Sequence, residues 1–189
     1  MNSVAKRTPL LSVEDYLELE ASSSIRHEYI DGHIYALAGV TNRHDDIVLN
    51  IMARFHAAAR GTECRVRSGE VQLRVSASRY YYPDIHVVCH PISSEARSVS
   101  DPCVIVEVLS PSTEQVDQRE KLFAYTTIQT LRAYYIVHQD RMTVENHWCD
   151  DEGTWWHGTL HGGGALKVPC LNVDLPLEQI YEGVTFEQQ

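Results

Sequence analysis

Cys103-Val104-Ile105-Val106-Glu107-Val108-Leu109 is an almost wholly apolar run with one carboxylate inside it. A run of that length is strand-sized, and apolar side chains at consecutive positions need cover on both faces. Such a strand belongs inside a sheet with layers above and below it. Glu107 is then the anomaly, because burying a carboxylate is costly unless it is paired, hydrogen-bonded or bound to a metal. Asp84 raises the same difficulty in Tyr80-Tyr81-Tyr82-Pro83-Asp84-Ile85-His86-Val87-Val88. Two acids on neighbouring strands can converge on one divalent cation. Hard ions such as Mg2+ take oxygen ligands and keep waters for a phosphate substrate. The other reading pairs both acids with arginines, or lays them on a solvated strand face. Spacing alone does not choose.

The surrounding sequence supplies the layers. Ser12 and Asp15 have the spacing of a capping box, followed by a short helical stripe of Val13, Tyr16 and Leu17. Asp31-Gly32 between two β-prone runs signals a hairpin. Ile47, Ile51 and Phe55 recur every four residues, predicting a helix over 45–60 that stops at Gly61. Strands are expected over 64–67, 71–75, 80–89 and 103–109. Ser110-Pro111-Ser112-Thr113 should break the last of these, with a helix following over about 114–128. Two more strands are expected over 133–138 and 142–148, then a turn-rich tail with a short helix at 177–181. In the Tyr80-Tyr81-Tyr82 run, alternating burial is expected, with base stacking as the other reading. No repeat or linker divides the chain. With 189 residues, one α/β domain with a mixed sheet flanked by helices is the expectation.

Class exclusions follow from composition. No apolar run approaches the roughly 18–20 residues of a membrane helix, and the N-terminus lacks a signal-like apolar stretch. A cytoplasmic globular protein is expected. Cys64, Cys89, Cys103, Cys149 and Cys170 contain no C-x-x-C pair and are read as buried, reduced thiols packing as small hydrophobes. The net charge of -10 argues against a constitutive nucleic-acid binder, though not against an enzyme whose carboxylates are masked by metal. The positive charge is uneven. Arg60, Arg65, Arg67, Arg74 and Arg79, preceded by Arg54, share their stretch only with Glu63 and Glu70. They are either a solvated face or a DNA track.

Lys121 adds a third element. The helix after Pro111 starts beside the end of the Glu107 strand and can bring Lys121 back over the acids, with Asp117 one turn earlier to pair with it. A lysine there can position an attacking water and stabilise charge on a phosphoryl transition state. The plain alternative is a surface ion pair worth about 0.3–0.5 kcal/mol.

Pro83-Asp84, the run from Glu107 to Thr113, and Asp117, Lys121 and Tyr125 together resemble the Uma-type family of restriction endonuclease domains, within the PD-(D/E)xK nuclease superfamily. Arg26-His27-Glu28-Tyr29-Ile30-Asp31-Gly32, His44 and Tyr134-Tyr135-Ile136-Val137 match its pattern too, so the resemblance runs from about Leu11 to Val184. It implies a restriction endonuclease-like fold. It also implies Mg2+ or Mn2+ held by Asp84, Glu107 and the Val108 carbonyl, with Glu28 approaching the same site. The lysine expected two residues after Glu107 is replaced by Leu109, and the family's usual remedy, a lysine on the following helix, is here Lys121. His44 is either a site histidine or a capping-region residue, and Glu70 is an acid that could support the site. The function implied is metal-dependent cleavage of DNA phosphodiester bonds. A nuclease-fold binding or scaffold module without cleavage is the rival, and the net charge favours it. Reaching both strands of a duplex would suit a homodimer.

Overall fold

The computed structural model describes residues 10–109 and 117–186, with Asp117 and Gln118 described as backbone alone. The expected strand break at Ser110-Pro111-Ser112-Thr113, the helix start at Glu114 and the Asp117 side chain lie outside the described residues. In chain order the elements are α1 (Val13–Ser22), β1 (His27–Ile30), β2 (His33–Ala36), α2 (Asn42–Ala59), β3 (Arg65–Ser68), β4 (Gln72–Ser76), β5 (Arg79–Tyr81), β6 (Ile85–Val88) and β7 (Ser98–Val99). Then come β8 (Val104–Leu109), α3 (Asp117–Tyr125), β9 (Ala133–His138), β10 (Thr143–Cys149), β11 (Trp155–His161), β12 (Ala165–Val168), β13 (Val173–Pro176) and α4 (Leu177–Ile180).

The fold is α+β, with large sheets flanked by helices. A six-stranded sheet in the order β11-β10-β9-β8-β6-β3 carries the apolar run at its centre. It is mixed, because β8 and β9 run parallel, with α3 between them in sequence, while β8 and β6 run antiparallel. The early strands make a second, five-stranded sheet, β2-β1-β5-β4-β7. Both faces of β8 are covered, as its sequence requires. Val104, Val106 and Val108 pack with Ile47, Ile51 and Phe55 of α2 and with Leu175 and Ile180 from the C-terminal segment. Ile105 and Leu109 pack on the other side with Leu73, Tyr81 and Tyr125. Glu107 lies between these last two in the alternation, so it projects toward the α3 side.

Local signals explain most boundaries. The Ser12 side chain accepts the Asp15 N–H and starts α1. Asp31 (φ 48°) and Gly32 (φ 97°) both adopt the left-handed region that a two-residue hairpin turn between β1 and β2 needs. Helix α2 starts three residues earlier than its apolar period indicates, because the Thr41 hydroxyl caps it by accepting the His44 N–H at 3.2 Å. The strand expected over 80–89 is two strands in two different sheets, β5 and β6. Pro83 has no N–H to give to a ladder, and the chain changes sheets there. Tyr80 and Tyr81 are therefore both buried, contrary to the alternation expected of a single strand. Tyr80 packs with Tyr16 and Tyr29, and Tyr81 packs with Tyr125. The tail holds more strand than its glycines suggest: β11 pairs with β10, setting Trp156 opposite Trp148, and β12 pairs with β13.

The cysteines depart from their sequence reading. Cys64–Cys89 and Cys103–Cys170 are disulfides, and Cys149 is free. Their spacing gave no hint, because the partners come from elements far apart in sequence. Among the described residues, no helix is long and apolar enough to cross a membrane.

Candidate active site

The two anomalous acids meet at the C-terminal end of β8. Ile85 faces Val106 across the antiparallel β6–β8 pair, so the next pair outward sets Asp84 beside Glu107. Asp84 Oδ2 accepts the backbone N–H of Val108 at 2.7 Å and lies 3.2 Å from His44 Nε2. His44 sits in the first turn of α2, where the helix dipole also favours a neighbouring anion. Burial opposes charge on this imidazole. The hydrogen bond to Asp84, its negative charge and that of Glu107 outweigh burial and raise the His44 pKa.

The far side of the site comes from β1 and α3. Glu28, only 3% exposed, accepts the backbone N–H of Tyr82 at 3.2 Å. Its Oε1 lies 3.0 Å from Lys121 Nζ, which is 3.3 Å from Glu107 Oε1. Tyr125, one helical turn beyond Lys121, donates its hydroxyl to the same Glu107 oxygen at 2.9 Å. Lys121 is 8% exposed, so this is not a solvated surface pair. Burial pushes the Glu107 carboxyl up to about 8; Lys121 works against that shift, and Asp84 and Glu28 add to it. Glu28 and Glu107 thus share one ammonium, with Asp84 beside Glu107 in the strand register, and together they offer oxygen donors of the kind Mg2+ or Mn2+ takes. The residues fit the ion that the sequence pattern implies.

This environment gives a pH dependence. Without metal, the folded protein holds the Glu107 proton up to about pH 8, against an ordinary value of 4.5 for the free group. Between those values the folded state binds more protons than the unfolded state, so stability falls as pH rises. The slope from this one group is at most about 1.4 kcal/mol per pH unit. In EDTA, Glu107→Gln is expected to gain on wild type in melting temperature from pH 5 to 8. Parallel curves would show that Glu107 is ionised throughout.

A cavity of about 600 Å³ opens over these groups and is lined by Glu28, His44, Asp84, Glu107 and Lys121 together. Glu70 lies on its wall but apart from the buried acids. Its side chain is 73% exposed and pairs with Arg26 at 2.5 Å. The arginine cluster is not gathered. Arg65 and Arg67 lie along β3, which leads to the cavity through Ser68, and Arg60 caps the end of α2. Arg74 and Arg79 belong to the other sheet, where Arg79 is held by Asp31 at 2.9 Å and Glu120 at 3.6 Å. The sequence reading gave no role to Arg26 or to the Tyr82 backbone. Tyr125 was named within the family pattern, although its i+4 spacing from Lys121 is a local signal that puts both on one helix face.

Residues 13–177 match the family Uma2, described as "Putative restriction endonuclease". The chain belongs to the Uma2 family. Two Synechocystis sp. (strain ATCC 27184 / PCC 6803 / Kazusa) proteins resemble it along most of their length. Uncharacterized protein slr1290 is 29% identical over 180 residues, 94% of this chain and 95% of that one. Uncharacterized protein sll1609 is 26% identical over 166 residues, 86% of this chain and 94% of its own. Among solved structures, a protein described as a putative nuclease belonging to DUF820 from Anabaena variabilis ATCC 29413 superposes with a TM-score of 0.78. That match covers 93% of this chain and 99% of the other at 16% identity, a likeness of fold. This Uma2 chain therefore has the restriction endonuclease-like fold that its sequence pattern implies.

Proposed function

We propose that this Uma2 protein is a divalent-metal-dependent endodeoxyribonuclease. The observation that carries the proposal is the pairing of Glu28 and Glu107 with Lys121 in one open cavity that Asp84 also lines. Asp84, Glu107 and Glu28, with the Val108 carbonyl, would hold Mg2+ or Mn2+. When bound, such an ion supplies a Lewis acid for the phosphate and makes water a better nucleophile near neutral pH. Lys121 orients the attacking water and offsets the charge that grows on the phosphate. Tyr125 fixes one oxygen of Glu107, and His44 with the Val108 N–H fixes one oxygen of Asp84, leaving its other oxygen for a ligand. DNA as substrate implies work in the cytoplasm, and cutting both strands calls for two sites, which a homodimer would supply.

The test is nicking of supercoiled plasmid with Mg2+ or Mn2+ against EDTA. Cutting that requires the ion supports the proposal. A protein that never cuts, across metals, salts and substrates, is instead a nuclease-fold binding or scaffold module without cleavage, the reading that its net charge of -10 favours.

DNA contact is expected along β3, from Arg60 through Arg65 and Arg67, with Arg74 and Arg79 of the other sheet further from the path. Each phosphate left without its arginine should make log affinity less steep in log salt by about 0.9. Arg65→Ala with Arg67→Ala should therefore lower the slope by roughly two. Fluorescence anisotropy over a salt series reads it, and an unchanged slope returns these arginines to a solvated face.

A further inference from the structure

Four cysteines meet in one place outside the nuclease cavity. Cys64 precedes β3, Cys89 follows β6, Cys103 precedes β8, and Cys170 sits in a short 3-10 turn (Pro169–Leu171) between β12 and β13. Their two disulfides touch: Cys89 Sγ lies 3.6 Å from Cys103 Sγ. The sulfurs of Cys89, Cys103 and Cys170 all lie within 4.8 Å of one another. Cys64 stands outside that trio but is bonded to Cys89, and its sulfur lies 3.6 Å from the Cys170 carbonyl oxygen. Cys64 and Cys103 are buried, and none of the four lines the cavity around Glu107.

Three of the sulfurs thus lie near the spacing of a metal thiolate site, and the Cys64 sulfur is bonded to one of them. Zinc bound tetrahedrally, with Zn–S bonds of roughly 2.3 Å, holds its sulfurs roughly 3.8 Å apart. We propose that, once both disulfides are reduced, Cys64, Cys89, Cys103 and Cys170 bind one Zn2+ as a closed structural site. A dithiol reductant gives two electrons and two protons to each bridge, is itself oxidised to a disulfide, and leaves two thiols per bridge. The four thiols then release four protons as four Zn–S bonds form. Four sulfur ligands with no water position make the site structural rather than catalytic, and soft thiolates suit zinc rather than the Mg2+ of the carboxylate site. The ion would tie the edge and centre of the six-stranded sheet to the C-terminal segment, the connection that Cys103–Cys170 makes when oxidised. In reducing surroundings, where disulfides do not persist, zinc would maintain it.

The probe is Co2+, titrated anaerobically into the full chain reduced with a phosphine, so that no added thiol competes. The Asp84→Ala background keeps the carboxylate site out of the count. One Co2+ per chain is expected, with the visible bands of tetrahedral cobalt and the ultraviolet charge transfer of cobalt thiolate, both displaced by one equivalent of Zn2+. Cys170→Ser should weaken binding at least tenfold, and Cys149→Ser should leave it unchanged. Should Cys170→Ser not fold, thiol labelling of the same reduced chain without that substitution decides. Zn2+ should slow four of the five thiols, and EDTA should release them. Absent cobalt-thiolate bands, equal binding by a folded Cys170→Ser, or five thiols indifferent to Zn2+ would each overturn the site. The cysteines would then be redox partners alone.

Discussion

Lys121→Met is expected to lower cleavage by roughly 10²–10³-fold, the usual loss for one preorganised charge-stabilising group. It should leave Mn2+ binding in place, since the lysine is not among the proposed ligands. The substitution keeps most of the side-chain length, and on a surface helix it would shift stability by no more than about 0.5 kcal/mol. Lys121 is not on the surface, however. It is 8% exposed and lies 3.0 Å from Glu28 and 3.3 Å from Glu107. Removing one partner of a buried pair strands the other charge, at a cost of roughly 3–5 kcal/mol unless the acids take up protons. In EDTA the variant should therefore melt well below wild type. Mn2+ should raise its melting temperature more than it raises that of wild type, because the ion then supplies the positive charge that the lysine gave. Plasmid nicking and thermal unfolding with and without Mn2+ read both effects. A variant that cuts as fast as wild type ends the catalytic role, and one that loses no stability in EDTA means the ion pairs contribute little.

Much of this site could be read from the chain because its acids violate a pattern. Glu107 interrupts an apolar run, and Asp84 follows a proline that ends a strand, so both were conspicuous without coordinates. Glu28 was not. It lies in a short strand of mixed composition, 3% exposed, and only the family pattern marked it. The helix and hairpin starts were legible where a side chain or dipeptide carries the signal, as at Ser12 and Asp31-Gly32. The division of strands between two sheets was not, because it is decided by which sheet each strand's partners join. Tyr80 and Tyr81 project to opposite faces of β5, as alternation requires, but both faces are covered, by different clusters, and that cover comes from elements distant in sequence. The cysteines failed for the same reason. Cys103 and Cys170 are 67 residues apart, and nothing local links them.

The second large effect is expected at Asp84, where one carboxylate has two jobs that two substitutions separate. Oδ2 accepts the Val108 N–H at 2.7 Å and stands beside His44, a structural duty that any well-placed oxygen could perform. The charge, and the second oxygen, are what a cation would use. Asp84→Ala removes everything and leaves a backbone N–H without its acceptor, at about 1–3 kcal/mol. Asp84→Asn keeps an oxygen for that N–H and loses only the charge, so its stability without metal should stay near that of wild type. Both variants should bind Mn2+ at least about 100-fold more weakly, because losing a ligand should cost no less than losing its supporting partner, worth about 10–100-fold. Cleavage should fall by more than in Lys121→Met, since the metal itself is lost rather than the lysine that assists it. In Asp84→Asn the His44 imidazole also loses the charge that favours its protonated form, so its pKa should drop back, which NMR titration of that ring would follow. Calorimetric Mn2+ titration decides the main point. If Asp84→Asn binds Mn2+ as tightly as wild type does, Asp84 holds β8 and α2 together and ligates nothing, and the metal must be sought at Glu28 and Glu107 alone.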